Sequence, residues 1–410
     1  MTRVLVVADE YPWPERTGYR LRLAAVLRAL AATATVDLLA VVLDERAARE
    51  PPPPDLPLGR HAAVVAGPLG EGGPSLVRRW ATGRLPRALL WRDWGPARVA
   101  LDGWAETPYQ VAWFSHAPAY LALADLVRCP RIVDLDNLDA FVLRHRRRVP
   151  PSARHAAPGE LARSAARSLA DLVDERRWHR VQARVAASAD AVVVCSDLDR
   201  RRLGTPNAVV VPNGYERPST GPTAGGGLRS PVEPVLLMVG LLTYEPNRDA
   251  AEFFAGQVLP RLRSAVPAAR FRVVGRYDDE AQVAVLRASA GVSVAGEVAD
   301  VRPELAAAGV VVVPVRFGGG TRIKILEAFA HGVPVVTTTV GCEGLDVVGD
   351  EHLLVADTPD AFAAACARVL ADAGLRARLT ENARARWAER YRWEVIAPAI
   401  TDVIGRCTRR

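Results

Sequence analysis

A glycine-rich stretch in the second half of the chain combines backbone freedom with two cations. It contains Gly318, Gly319, Gly320, Thr321, Arg322 and Lys324. Of the 53 Lys and Arg residues in the sequence, Lys324 is the single lysine. Glycines let a backbone turn tightly and approach a ligand, and cations beside the start of a helix favour a bound anion. The stretch therefore predicts a phosphate site.

The flanking residues predict the elements that would position this site. The apolar run from Val310 to Val315 is typical of a buried parallel strand. Apolar residues recur with helical spacing between 323 and 330, and Gly332 ends that pattern. Thr321 is the predicted N-cap of this helix. Strand, glycine loop and helix N-terminus together place N–H groups and the helix dipole at the loop.

Glu327 follows one turn into the predicted helix. It is too far from the loop to cap the helix, and its carboxylate could accept hydrogen bonds from the hydroxyl groups of a ligand. The alternative interpretation is an ordinary solvated glutamate on the helix surface.

The residues 326–336, Leu-Glu-Ala-Phe-Ala-His-Gly-Val-Pro-Val-Val, resemble the signature of the retaining nucleotide-sugar glycosyltransferases of family 4, or group 1. In that signature a glutamate precedes a second glutamate by eight positions. Glu327 matches the second glutamate, whereas Gly319 stands where the first would be. The Gly-Gly-Gly-Thr-Arg-x-Lys version resembles a recognised branch of the family. The resemblance implies an α/β GT-B fold, with two facing Rossmann-like domains, parallel sheets and an interdomain cleft.

A chain of 410 residues suits two domains. We predict a first, acceptor-binding domain over 1–214, a linker rich in Gly, Pro, Ser and Thr over 215–234, and a nucleotide-sugar domain over 235–392. The resemblance implies that the last helix, within 393–410, packs back on the first domain.

Strands and helices are predicted to alternate in both domains. The predicted strands are 3–8, 36–43, 61–66, 110–115, 131–135, 191–195, 235–240, 271–275, 292–295 and 310–315, and the predicted helices are 19–31, 160–187, 249–265, 279–289, 301–308, 323–331, 359–372, 375–391 and 393–406.

The resemblance also implies roles for residues of the donor site. The family usually places an Arg and a Lys after the first strand of this domain, where this chain has Leu241 and about Pro246. Arg322 and Lys324 would replace those two charges at the diphosphate and stabilise the leaving group. Arg248 is a further candidate contact.

Other donor-site residues follow from the same resemblance. Glu327 would hold the ribose hydroxyls, and Gly318, Gly319, Gly320 and Thr321 would line the phosphate loop. Arg276 is placed to stack on the base, and Val298 and Asp300 lie in the loop that frames it. Since two basic residues would neutralise the diphosphate, we expect no metal ion and no cofactor.

Polar residues follow two predicted strands of the first domain. His116 comes directly after one strand, and Asp134 and Asp136 come at the end of the next. Ligands of open α/β sheets bind at strand carboxyl ends. His116 matches the family histidine that faces the donor sugar, although a structural histidine is the alternative. Gly18, Asp134 and Asp136 are candidates for the acceptor side.

The leading hypothesis is an enzyme that moves a hexose from a nucleotide diphosphate to an alcohol with retention of configuration. A same-face displacement would let the departing phosphate take the proton of the acceptor, so no enzymic base would be needed. The alternatives are a nucleotide-sugar epimerase, disfavoured because no cluster of catalytic carboxylates is apparent, and a non-catalytic nucleotide-binding subunit, favoured by Gly319.

A net charge of +7 raises the question of an anionic partner. The arginines are dispersed and no nucleic-acid motif occurs, so nucleic acid is not expected. The densest cluster, Arg144–Arg148, has two interpretations: a solvated face, or a surface for anionic lipid or a phosphorylated acceptor. The acceptor itself could be a small molecule, a glycan or a lipid-linked molecule.

The surroundings of the protein are predicted from composition. No membrane span or signal peptide is expected, and five cysteines without CxxC spacing predict reduced thiols. We therefore expect a cytoplasmic protein, with association at the inner membrane face as an alternative. The Ala- and Arg-rich composition favours a GC-rich bacterium. Four tryptophans between 70 and 108 predict helices that pack on the sheet, or alternatively an aromatic wall near the acceptor.

Overall fold

A computed structural model of the chain describes residues 2–48, 50–69, 73–104, 106–149, 158–217 and 233–409. The chain divides into two compact units. The first unit comprises Met1–Arg148, His155–Asn213 and Ile396–Arg410, and the second comprises Val149–Arg154 and Gly214–Val395. Most of the predicted linker, from 218 to 232, lies outside the described residues.

The first unit contains a parallel sheet with helices connecting its strands. Its strands are β1 (Arg3–Ala8), β2 (Thr35–Val42), β3 (Leu58–Val65), β4 (Val111–Ser115), β5 (Arg131–Leu135), β6 (Ala191–Val194) and β7 (Ala208–Val210). Its helices are α1 (Gly18–Ala31), α2 (Gly73–Thr82), α3 (Gly95–Asp102), α4 (Ala117–Leu123), α5 (Asp139–Arg148), α6 (Pro158–Ser188) and α7 (Asp197–Leu203). The strand order is β3-β2-β1-β4-β5-β6-β7.

The second unit repeats this architecture. Its strands are β8 (Val235–Val239), β9 (Arg270–Val274), β10 (Val292–Gly296), β11 (Val310–Val313), β12 (Val335–Thr337) and β13 (Leu354–Val355). Its helices are α8 (Glu245–Phe253), α9 (Leu259–Ala265), α10 (Ala284–Arg287), α11 (Arg302–Ala307), α12 (Ile323–His331), α13 (Pro359–Ala371) and α14 (Ala373–Arg390), and α15 (Trp393–Thr408) runs from this unit into the first. The strand order is β10-β9-β8-β11-β12-β13.

Both sheets reverse their strand order beside their first strand. The reversal falls between β1 and β4 in the first unit, and between β8 and β11 in the second. Helices leave a sheet on opposite faces at such a switch point, and a crevice opens at the carboxyl ends of the two strands. The predicted α/β fold with two parallel sheets is confirmed.

The central strands form because their residues suit burial on both faces. All four valines of β11 and all residues of β6 are buried, as expected for a parallel sheet covered by helices. The edge strand β3 alternates instead between half-buried and exposed residues. All five cysteines are free thiols, and no helix within the described ranges is long and apolar enough to cross a membrane.

Several predicted boundaries were wrong. The helix predicted over 249–265 begins at Glu245 and is interrupted by a π-helical turn at Phe254–Val258. The helix predicted over 279–289 is a 3-10 turn at Glu280–Gln282 followed by the short α10. Pro246 explains the first difference, because proline is well tolerated in the first turn of a helix.

Candidate functional site

Lys324 lies at the switch point of the second sheet. It belongs to the first turn of α12, and its Nζ donates to Asn247 Oδ1 at 2.8 Å. Asn247 lies in the first turn of α8, where its own amide donates to Leu241 O at 2.9 Å. The carboxyl ends of β8 and β11 are therefore joined through this lysine.

Two glycines make room for the cations. A Cβ atom at Gly240 would lie 2.6 Å from Lys324 Nζ, so the ammonium group rests directly over the bare backbone. Gly318 has φ +137° and a Cβ there would approach Arg322 Nη2 to 3.0 Å. Any larger residue at either position would displace a cation, which explains why the sequence has glycine at both.

The electrostatic setting of Lys324 is unusual for a lysine. Burial, together with the Arg322 guanidinium, lowers the pKa of Lys324 to about 7, whereas the Glu327 carboxylate opposes that shift. Within the described ranges, no carboxylate lies within ion-pair distance of Nζ. A bound anion would supply the missing counter-charge.

Arg322 occupies the N-cap position of α12, so the predicted N-cap at Thr321 was wrong. Its Nη1 donates to the carbonyl oxygens of Gly319 and Gly320. The guanidinium therefore braces the glycine loop. No side chain caps α12, although Ile323 N donates to Thr321 O at 3.1 Å and Ile325 N donates to Arg322 O at 2.9 Å. Thr321 itself is half-buried in the loop.

Glu327 lies one helical turn before His331, on the same helix α12. His331 contacts a residue that the sequence did not single out, because the Tyr215 hydroxyl lies 3.1 Å from His331 Nε2. Burial raises the pKa of Glu327 to about 7, although Tyr215 and Lys324 oppose the shift. Glu327 is therefore not the solvated surface glutamate of the alternative interpretation.

The other residues predicted for the donor site have different surroundings. Asp300 accepts from the Arg302 backbone and side chain, both at 2.9 Å, and its charge contributes to the raised pKa of Glu327. Val298 is half-buried in the same loop. Arg248 is half-buried in α8 and Arg276 is exposed after β9, and neither side chain has a partner among the described residues.

His116 occupies the switch point of the first sheet. It follows β4 with φ 74°, a backbone conformation that is uncommon for a residue with a side chain. Nδ1 lies 3.0 Å from Asp9 Oδ1 and Nε2 lies 2.6 Å from Asp136 Oδ1. The ring stacks on Tyr19, with centroids 4.2 Å apart, and the Tyr19 hydroxyl donates to Asp9 at 2.9 Å.

Two carboxylates hold this histidine as a cation. Burial lowers its pKa, but Asp136 and Asp9 raise it more, so the net pKa of His116 is well above its ordinary value. His116 in turn lowers the pKa of Asp136, whereas burial raises the pKa of Asp139 to about 7. Since a protonated imidazole has no lone pair to accept a proton, the group can donate hydrogen bonds but cannot act as a base.

Asp134 has a different environment from Asp136. Arg22 donates to both of its carboxylate oxygens, at 2.9 and 2.8 Å, and both residues are 2% exposed. Arg22 also donates to Val211 O and to Asn213 Oδ1, each at 3.0 Å. This buried network ties α1 to β5 and the end of β7, which argues against the predicted contact of Asp134 with an acceptor.

Gly18 is the first residue of α1 and directly follows the loop between β1 and α1. Thr17 caps the helix by accepting from Arg20 N at 3.3 Å. Asp9 was missed, although its position directly after β1 satisfies the same strand-end rule that selected His116. Tyr215 had no comparable local signal.

The basic cluster at the end of α5 is internally paired. Arg144 and Arg147 contact Glu175 at 2.9 and 2.6 Å, and Arg146 forms a hydrogen-bonded ion pair with Asp171. Because Glu175 and Asp171 are buried on α6, these arginines neutralise acids of the same unit. The cluster is therefore not a freely solvated face. Because these arginines are already paired with acids, little of their charge is left for an anionic lipid or a phosphorylated acceptor.

Two sequence comparisons with known proteins each match part of the chain. Residues 233–372 match the family described as glycosyl transferases group 1. D-inositol 3-phosphate glycosyltransferase from Xylanimonas cellulosilytica is 40% identical over 86 residues. That match spans 20% of this chain and 20% of the relative.

Solved structures resemble the whole chain. Sucrose-phosphate synthase from Thermosynechococcus elongatus has a TM-score of 0.69 and 20% identity, covering 99% of both chains. Anabaena HepE, in complex with UDP and glucose, has a TM-score of 0.61 and 15% identity, covering 99% of this chain and 100% of its own. At these identities the likeness shows the fold alone. The chain has the GT-B fold, and its residues 233–372 match the family of the group 1 glycosyl transferases.

Proposed function

We propose that this protein is a glycosyltransferase that moves a hexose from a nucleotide diphosphate donor to an alcohol acceptor with retention of configuration. The observation that carries the proposal is the position of Lys324. Its ammonium group lies over Gly240 at a sheet switch point, beside a helix N-terminus, with a lowered pKa and no ion-pair partner within the described ranges. A diphosphate is the ligand that best complements that arrangement.

The donor would be bound by residues of the second unit. Lys324 and the N-terminal N–H groups of α12 would contact the phosphates, Arg322 would hold the glycine loop in place, and Glu327 would accept from the ribose hydroxyls. The complexes of Anabaena HepE with UDP and with UDP-glucose support a nucleotide sugar as the donor class.

The chemistry would rest on the leaving group. As the bond from the sugar to the diphosphate breaks, Lys324 and the helix dipole stabilise the charge that develops on the phosphate. The acceptor oxygen attacks from the same face and passes its proton to the departing phosphate oxygen. His116, whose two N–H groups face Asp9 and Asp136, would orient these two carboxylates at the strand ends of the first unit. The proposed reaction needs no divalent ion, so EDTA should not change its rate.

A thermal-shift panel of UDP-, GDP- and ADP-sugars tests the proposal. A donor at about 100 times its dissociation constant should stabilise the fold by ~2.7 kcal/mol. The Lys324→Ala variant should lose most of that shift, and NMR of the product should show the anomeric configuration of the donor.

Arg261→Ala is the matched control. It removes one positive charge from the same unit, at an exposed pair with Asp360, and should keep the full shift. A panel in which no nucleotide sugar stabilises the wild type would contradict the proposal.

A second candidate function is a nucleotide-binding subunit without transferase activity, favoured by Gly319 in place of the first family glutamate. It predicts the same thermal shift as the leading proposal. It also predicts that neither transfer nor donor hydrolysis occurs with any acceptor.

A further inference from the structure

We propose that Asn247 is a positioning residue for Lys324: its neutral amide holds the ammonium group over Gly240 and leaves the positive charge of that group for the diphosphate. The inference rests on the function proposed above and deepens it. Asn247 lies outside the glycine loop and outside residues 326–336, which carry the family signature. It belongs to α8, whereas Lys324 belongs to α12, 77 positions later.

The ammonium group and the amide share one patch of bare backbone. A Cβ atom at Gly240 would lie 2.6 Å from Lys324 Nζ, 2.8 Å from Asn247 Nδ2 and 3.0 Å from Asn247 Cγ. Asn247 Oδ1 accepts from Nζ at 2.8 Å, and among the described residues this is the one hydrogen bond of the lysine side chain. The amide therefore determines where the ammonium group lies.

The chemistry of its two neighbours selects an amide at this position. An ammonium group only donates hydrogen bonds, and a backbone carbonyl only accepts them. Asn247 accepts from Lys324 with Oδ1 and donates to Leu241 O with Nδ2 at 2.9 Å. A carboxylate could accept from the lysine, but it could not donate to the carbonyl and would neutralise the ammonium group. Asparagine therefore orients the charge without cancelling it.

The helix that carries the amide is itself fixed beside the glycine loop. Asn247 N donates to Tyr244 O at 3.0 Å in the first turn of α8. Asp249 accepts from Nε of Arg316 at 2.9 Å, in the segment that leads into the glycine loop. The Arg316 guanidinium also lies over the Phe253 ring, 4.8 Å from its centroid. Because these contacts join α8 to that segment, the amide has a defined position relative to the loop.

The first experiment measures the pKa of Lys324 by NMR on the full-length protein grown with isotope-labelled lysine. Since Lys324 is the single lysine of the chain, its side chain gives the single lysine signal. In Asn247→Asp, a carboxylate replaces the amide oxygen that lies 2.8 Å from Nζ. The pKa of Lys324 should therefore rise by about one unit or more. No nucleotide is needed for this measurement.

The other charges near the lysine stay in place in this comparison. Burial and Arg322 lower the pKa of Lys324, whereas Glu327 raises it. The charged residues of α8 beside position 247 are Glu245, Arg248 and Asp249. Because all of them are common to the wild type and the variant, a difference in the pKa of Lys324 reports on residue 247.

The second experiment measures UDP binding by calorimetry. At about pH 7, Asn247→Ala should bind UDP about fivefold more weakly, because the ammonium group loses the hydrogen bond that places it. On a Lys324→Ala background, the same substitution should change the dissociation constant by less than about twofold, since it acts through the lysine. In Asn247→Asp, the loss of affinity with rising pH should begin at a higher pH than in the wild type, because the free variant keeps the proton of Lys324.

Asn382→Asp is the matched control. It makes the same exchange in the same unit, where the Asn382 amide donates to Glu351 O at 3.1 Å. Both substitutions thus remove a hydrogen bond from an amide to a backbone carbonyl. The control should leave the pKa of Lys324 and the affinity for UDP at their wild-type values.

The outcomes separate the contact from the function that it serves. An unchanged pKa of Lys324 in Asn247→Asp, or an equal loss of UDP affinity from Asn247→Ala with and without Lys324, would overturn the role of Asn247. If Asn247→Asp does not fold, the comparison of Asn247→Ala on the two backgrounds decides the question. If the pKa rose as expected but the wild type bound none of UDP, GDP and ADP, the contact would stand, and the proposed function would fail together with the role of Asn247 in anion binding.

Discussion

The two sheet switch points hold cations in opposite electrostatic settings. In the first unit, His116 lies between Asp9 and Asp136, and its pKa is raised. In the second, Lys324 rests over Gly240 and its pKa is lowered to about 7. A cation that folds together with its counter-ions is already satisfied, whereas one held without them is available to an external anion. The difference supports the second unit as the anion-binding unit of the proposed function.

The largest expected effect is on stability. It comes from breaking the buried Arg22–Asp134 ion pair, which belongs to neither His116 nor Lys324. Asp134→Ala should destabilise the protein by ~3–5 kcal/mol, because it leaves Arg22 buried without its carboxylate. Urea unfolding measures the effect. Asp136→Ala, which removes a carboxylate only two residues away, should cost much less, since Asp136 is more exposed and His116 can lose its proton. Equal losses would mean that the two aspartates do not differ as described.

His116→Ala tests the division of roles between the two units. We expect turnover to fall by about 100-fold, the size of effect seen when one polar group is removed from an active site, because Asp9 and Asp136 lose the cation that orients them. The dissociation constant for UDP should stay within experimental error, because every proposed UDP contact lies in the second unit. Steady-state kinetics and calorimetry measure the two quantities. Loss of UDP binding in His116→Ala would contradict the proposal that the anion binds in the second unit.

Lys324→Arg sharpens the comparison, because it keeps the charge and changes its shape. A Cβ at Gly240 would already lie 2.6 Å from Nζ, so the planar guanidinium has no room where the ammonium lies. We expect UDP to bind about tenfold more weakly, as one charged hydrogen bond is lost. The control is Arg261→Lys, which exchanges an arginine for a lysine at an exposed site. Calorimetry should show that its affinity for UDP is unchanged. Wild-type affinity in Lys324→Arg would mean that only the charge matters.

The sequence predicted the parts of this account that depend on local pattern. Valine runs such as Val310 to Val313 predict buried strands, and glycines followed by cations predict an anion site. Residues directly after a strand, such as His116, could be placed because strand carboxyl ends share one edge of a parallel sheet.

The rest depends on contacts between distant segments. Asp134 and Asp136 are indistinguishable by spacing, and only the partner from α1, Arg22, separates a buried structural carboxylate from an accessible one. Tyr215 lies 116 positions before His331, and no local pattern in the sequence indicates that they are in contact. The paired arginines of α5 likewise look solvated until α6 supplies their acids.

The pH dependence of UDP affinity tests the central claim most directly. A bound diphosphate should raise the pKa of Lys324 above its free value of about 7, so the complex holds a proton that the free protein has lost at higher pH. UDP itself is fully ionised above about pH 7. Between pH 7.5 and 9, wild-type affinity should therefore fall by up to about tenfold per pH unit.

Lys324→Ala should bind UDP more weakly over the same range and show no such slope. That contrast, measured by calorimetry from pH 7.5 to 9, is the result predicted if Lys324 is the cation that meets the diphosphate. Parallel pH profiles for the wild type and Lys324→Ala would contradict it, because the proton taken up on binding would then belong to another group.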